Sequence, residues 1–166
     1  ELLEQIPPYH GGGEMIERVS FAKTTFNVLP YKFEAGTPNY IDIIAFEKAL
    51  QYLTNIGLSE IEKYETALLD YATSSLKSID GIKIIGNAKH KSGVISFIVD
   101  GVHPSDLGTL LDHMGIAIRT GTHCAEPVMQ HFGITGTARV SFAFYNTFEE
   151  IDILTNSIRK ALMMLK

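Results

Sequence analysis

The chain is 166 residues long, with 45% hydrophobic and 20% charged residues and a formal net charge of −5. That is the balance of an ordinary globular body, and its interspersed acidic charge leaves no basic footprint for nucleic acid. No apolar run nears the roughly 20 residues of a membrane helix.

The opening Glu1-Leu2-Leu3-Glu4-Gln5 lacks a methionine and reads as part of a longer protein. It has neither the basic start nor the apolar block of a signal peptide. Pro7-Pro8 and Gly11-Gly12-Gly13 then predict irregular chain. Short alternating pieces and a turn at Gly36-Thr37-Pro38 complete a section of loops and a hairpin with few core residues of its own.

Two helices are expected next. Ile44, Leu50 and Leu53 mark a helix from Ile41 to Asn55, closed by Gly57. A second begins at Ser59, where Glu62 makes a capping-box pattern. It carries Ile61, Tyr64, Leu68 and Tyr71 on one face and runs to about Leu76.

From residue 80 the texture changes. "GIKIIG" and "GVISFIV" are short β-rich runs bounded by glycine. "HPSDLGTLLDHMG" predicts a helix with Ser105 as N-cap and Gly115 past its end. "IAIRTG" and "ARVSFAF" predict two more strands. The last helix starts at Thr147 with Glu150 as a capping box, and its stripe is Ile151, Leu154, Ile158, Leu162 and Leu165. The order β-β-α-β-loop-β-α predicts an α+β layer, a mostly antiparallel sheet with helices on one face. The strand ends frame a loop from Thr120 to about Gly136.

That loop holds Cys124, the chain's single cysteine. It cannot form an internal disulfide, so a reducing cytoplasm is the expected compartment. A lone cysteine is usually a small buried apolar residue. Here it follows a strand, among Gly121, Thr122 and Pro127, where loops run on the surface and carry function. Arg119 or a protonated His123 would favour its thiolate. Arg139, in the apolar run "TARVSFAF", reads equally as an edge-strand arginine reaching water or as a guanidinium gripping a carboxylate. The turn "AGTP" can present Thr37 and backbone N–H groups to a phosphate, although taken alone it reads first as a surface turn. "HGGGEM" is not a dinucleotide fingerprint. His10, His90, His103, His113 and His131 show no metal spacing, so no metal site is expected.

Four segments, in order and spacing, now match a known family: "PPYHGGGEMI", "FEAGTPN", "GVHPSDLGTLLDHMGIAIRTGTHCAEPVM" and "ARVSFAFYNT". Together they resemble the Suf-type (group II) cysteine desulfurases and the related selenocysteine lyases, class V aminotransferase enzymes of fold type I that use pyridoxal 5′-phosphate. The resemblance covers essentially the whole chain. It implies that residues 1–60 are a remnant of the large cofactor domain with the dimer-interface hairpin, and that 61–166 form the C-terminal small domain. It also implies that Cys124 is the nucleophile, taking sulfur from L-cysteine (or selenium from L-selenocysteine) and releasing alanine. Arg139, fifteen residues later, would hold the substrate carboxylate. Arg119 and His123 would shape the loop, and Thr37 with Gly36 would reach the phosphate of the partner subunit's cofactor in a homodimer.

The family's Schiff-base lysine lies in a Ser-x-His-Lys context that this chain does not contain, so the chain by itself is expected to be inactive. Some relatives that pass sulfur to a zinc-bearing acceptor have a histidine where this chain has Ser105. That departure points instead to a SufE-like acceptor. Two other readings differ in class: a non-catalytic interaction module with the small-domain fold, and a Cys-His thiol hydrolase, which the adjacency of His123 and Cys124 fits poorly.

Overall fold

The computed structural model describes residues 1–165. Two compact units divide the chain, Glu1–Asn55 and Ile56–Lys166.

The first unit is mostly turns around a hairpin. A four-residue helix α1 (Leu2–Gln5) is tied down by Lys32, whose Nζ donates to the carbonyls of Leu3 and Glu4 at 3.2 and 2.7 Å. Strands β1 (Ile16–Val19) and β2 (Thr24–Phe26) pair antiparallel. The Ser20 hydroxyl closes their turn, donating to the Lys23 carbonyl and accepting from the Lys23 N–H. Only Met15 is a buried apolar side chain among the described residues of this unit, which agrees with its expected poverty of core.

The glycine run has a definite task. A Cβ on Gly12 would stand 3.1 Å from the carbonyl carbon of Ala35 and from the nitrogen of Gly36. A glycine there lets the run lie against the Ala35–Gly36 peptide. The Gly36 N–H then donates to the Gly13 carbonyl at 3.0 Å. Helix α2 (Tyr40–Ile56) follows, one residue longer at each end than expected, and its apolar stripe buries no residue within the described chain.

The second unit is the α+β layer. Helix α3 (Leu58–Lys77) buries Leu68, Leu69, Ala72 and Leu76. The expected capping box at Ser59 does not form. Gly57, at φ 93, is the N-cap, and its carbonyl accepts from the Glu60 and Ile61 N–H groups at 3.1 Å, so Ser59 already lies inside the helix. Strands β3 (Ile82–Ile85) and β4 (Val94–Val99) come next, then helix α4 (Pro104–His113). Its N-cap is His103 and not Ser105. The His103 Nδ1 accepts from the Ser105 N–H at 3.3 Å, with Pro104 in the first turn, where its missing N–H costs nothing.

Strand β5 (Arg119–Gly121), helix α5 (Glu126–Phe132), strand β6 (Thr137–Ser141) and helix α6 (Phe148–Leu165) complete the unit. The four-stranded sheet has the order β3-β4-β6-β5 and is antiparallel throughout. One face is packed: Ile95, Phe97, Val99, Ala138 and Val140 meet Leu107 and Leu111 of α4 and the stripe Ile151, Leu154, Ile158 and Leu162 of α6. The capping box at the start of α6 is as expected. The Thr147 N–H donates to Glu150 Oε2, and the Glu150 N–H donates to Thr147 Oγ1. The Asn146 side-chain amide, then the Thr147 N–H, hold the Glu150 carboxyl below the usual carboxylate range.

Alternation along β6 decides where the chemistry goes. With Ala138 and Val140 in the core, Thr137, Arg139 and Ser141 belong to the face away from the helices. Ser96 pairs with Arg139 and shares that face.

Candidate active site

The strand that leads to the cysteine is shorter than "IAIRTG" suggests. Helix α4 ends in a Schellman motif: the Gly115 N–H donates to Asp112 and the Ile116 N–H to Leu111, both at 2.9 Å. The Ile116 N–H is thus bound to the helix end and unavailable to the sheet. Pairing starts only at Arg119.

The expected loop after Thr120 contains a helix, α5. Its signals were local ones, Pro127 in the first turn and Gly133 left-handed at the end, in a segment too short to show periodicity. The two ends of the loop touch. A Cβ on Gly136 would stand 3.0 Å from the Gly121 carbonyl, so the backbones approach as only glycine allows.

Between them His123 and Cys124 both have left-handed backbones, φ 56 and 57. Such a conformation costs a residue with a Cβ roughly 1–2 kcal/mol. Two contacts hold it. The Ala125 N–H donates to the Thr122 carbonyl at 2.9 Å, and His123 Nε2 shares a 2.9 Å hydrogen bond with Thr137 Oγ1. Cys124 is exposed and free. It is therefore not the buried filler that a lone cysteine usually is.

Arg119 and Arg139 are direct partners across β5 and β6, so they stand side by side on one face. Like charges placed opposite one another are unfavourable. Among the described residues neither is paired with a carboxylate. The Arg139 Nε and the His123 Nδ1 are buried and have no hydrogen-bond partner among those residues. Two guanidiniums without an acid, one carrying an unsatisfied buried donor, make a place that favours an anion, and a carboxylate matches the fork of a guanidinium.

His123 does not supply a further cation. Burial first, then the neighbouring Arg139 guanidinium, push its pKa below the usual histidine value. The Thr137 backbone opposes this, and Arg119 adds to it. The ring is neutral at pH 7, which corrects the expectation that a protonated His123 favours the thiolate. A depressed value in the folded state means that the ring's contribution to stability is complete above about pH 6.5 and is lost as pH falls through the lower folded value. Replacing His123 with glutamine is expected to reduce the loss of melting temperature between pH 7 and pH 5, read by calorimetry on both proteins.

In the first unit, Thr37 is exposed on its turn. Gly36 gives the turn its shape at φ 84, with its N–H engaged by Gly13. Of this pair, Thr37 is the one free to meet a phosphate. Thr137 was not foreseen as a site residue. A threonine in a strand carries no sequence signal of its own.

The site is thus an exposed thiol on the constrained loop that follows β5, whose Arg119 is opposed by Arg139 on β6. The family described as aminotransferase class-V matches residues 1–154, and the chain belongs to that family. It is 48% identical over 165 residues to a probable cysteine desulfurase of Xylella fastidiosa (strain Temecula1 / ATCC 700964), covering 99% of this chain and 40% of that protein. Among solved structures it resembles the cysteine desulfurase CsdA (S-sulfonic acid) of Escherichia coli, with a TM-score of 0.90 and 39% identity over 99% of this chain and 41% of that one. The apo cysteine desulfurase of Thermococcus onnurineus NA1 matches with a TM-score of 0.87 and 37% identity, over 95% of this chain and 40% of that one. The chain thus spans about 40% of the length of these relatives.

Proposed function

We propose that this chain is the C-terminal part of a Suf-type cysteine desulfurase that uses pyridoxal 5′-phosphate and converts L-cysteine to L-alanine, leaving a persulfide on Cys124. The observation that carries the reading is the arrangement around the edge strand β5 and its neighbour β6. Arg119 and Arg139 stand opposed without an acid, and the left-handed loop from β5 presents Cys124.

The residues present suit the cofactor and its amino-acid substrate. The Arg139 Nε is a buried donor without a partner, and Thr37 offers an exposed hydroxyl on a turn. When bound, pyridoxal phosphate supplies the electron sink for chemistry beside the substrate's amino-bearing carbon. The chain's own residues bind, orient and attack. Arg139 takes the carboxylate with two parallel hydrogen bonds. Arg119 adds charge on the same face, and neutral His123 braces the loop. The Cys124 thiolate forms a sulfur–sulfur bond as the substrate's carbon–sulfur bond breaks. The bonding pair leaves with the carbon fragment, which takes up a proton and is released as alanine.

Residues 1 to about 60 are assigned to the large domain and dimer interface and the rest to the small domain; since residue 60 lies inside α3, the boundary is drawn between the compact units, after Asn55. The exposed stripe of Ile41, Ile44 and Leu50 on α2 supports an assignment in which more of the protein covers it. The acceptor we favour is SufE-like, since the position at which relatives with a zinc-bearing acceptor carry a second histidine is here Ser105, exposed and a poor zinc ligand. The product would supply iron–sulfur cluster assembly in the cytoplasm.

The test compares two proteins. Full-length enzyme with pyridoxal phosphate is expected to release alanine from cysteine, and the 166-residue chain under the same conditions is not. Alanine release by the short chain would refute its incompleteness. A full-length protein that acts on selenocysteine but not on cysteine would make it a selenocysteine lyase. No activity toward either would favour an interaction module.

A further inference from the structure

We infer that Thr137 is a positioning residue for Cys124, acting as a latch that holds the cysteine loop in its left-handed form through His123; this rests on the proposed sulfur transfer.

Thr137 belongs to the sheet face away from the helices, where the neighbouring β6 residue Arg139 is partly open and Ser141 is exposed. Yet Thr137 itself is fully buried, at 0% exposure. Its hydroxyl and His123 Nε2 are 2.9 Å apart, linking residues fourteen positions apart in sequence. Two consecutive residues with side chains at φ 56 and 57 are not a conformation a loop keeps unaided. The Ala125-to-Thr122 turn bond constrains the backbone from one side only. The His123 ring is the other restraint, and the Thr137 hydroxyl is the hydrogen-bond partner that ring has among the described residues, because Nδ1 has none.

The geometry makes the latch sensitive to one oxygen atom. His123 and Cys124 are adjacent, so rotation of the His123 backbone out of the left-handed region redirects the Cys124 side chain. β6 is an inner strand of the sheet, paired on both sides. The loop is therefore fastened to the strand that also carries Arg139, two residues along from Thr137.

The test uses the full-length enzyme with Thr137→Val, which keeps the shape and removes the hydroxyl, and Thr137→Ser, which keeps the hydroxyl. Hydrogen exchange at the Ala125 amide reads the loop without reference to activity. The valine variant is expected to exchange there about tenfold faster, and to lower kcat for alanine release by about tenfold while KM for cysteine stays near wild type. The serine variant is expected to restore both. Unchanged exchange in the valine variant overturns the latch. So does an unchanged kcat, or a serine variant as impaired as the valine one, since packing alone would then explain the effect. A wild-type enzyme that releases no alanine refutes the proposed function instead, and the exchange comparison still decides the latch.

Discussion

Replacing Cys124 with alanine in the full-length enzyme is expected to remove alanine formation from cysteine, by at least about a thousandfold in kcat, with the fold intact. Loss of a covalent nucleophile has consequences of that order or larger. The fold should survive because the side chain supports nothing. Cys124 is exposed and free, so removal of the sulfur opens no cavity. Alanine also keeps the Cβ, so the left-handed backbone at φ 57 is no more strained than before. A surface change of this kind usually stays within about 0.5 kcal/mol of wild-type stability. Selenocysteine, whose selenide leaves more readily, is the substrate on which the variant is expected to keep activity. Full cysteine activity in the alanine variant would show that the nucleophile lies elsewhere.

The second large effect belongs to Arg139. Arg139→Gln is expected to lower kcat/KM for cysteine by about thirtyfold to several thousandfold. That range corresponds to the 2–5 kcal/mol typical of truncating one partner of a desolvated, hydrogen-bonded charge pair. The sign of the stability change separates this role from a structural one. Arg139 faces Arg119 across the ladder with no acid between them. Removing one charge relieves repulsion, so the melting temperature of the ligand-free protein should hold or rise. Arg139→Lys keeps the charge but loses the planar fork, and should recover only part of the activity. A glutamine variant that melts lower and binds cysteine normally would make Arg139 a structural residue.

The elements that could be read from the sequence are those governed by local rules. The α6 stripe and its Thr147–Glu150 box form as expected because periodicity and capping are decided within a few residues. The Gly115 stop of α4 is of the same kind. The misses have tertiary or unusual causes. His103 caps α4 although histidine is not a common N-cap, and the expected Ser105 sits two residues further in, inside the first turn. Ile116 to Ile118 look like strand, but the end of α4 claims the first N–H. Helix α5, at seven residues, is shorter than the window of about 11 residues over which helical periodicity can be read.

For the site, the residue types were legible and their relations were not. Cys124, Arg119 and Arg139 stand out by chemistry. That the two arginines face each other depends on the β5–β6 register, which is a long-range choice. Neutrality of His123 follows from burial beside Arg139, and burial is a property of the folded chain. The tie between His123 and Thr137 joins a loop to a strand that begins after α5, and nothing in either local sequence announces it.

The most direct measurement is mass spectrometry of the peptide containing Cys124, after full-length enzyme is mixed with cysteine and trapped with an alkylating agent. An added sulfur atom on Cys124, formed in step with alanine and absent in the Arg139→Gln variant at the same substrate concentration, is the expected result. Alanine released while Cys124 stays an unmodified thiol, with the extra sulfur on another residue or free in solution, would contradict the assignment of Cys124 as the sulfur carrier.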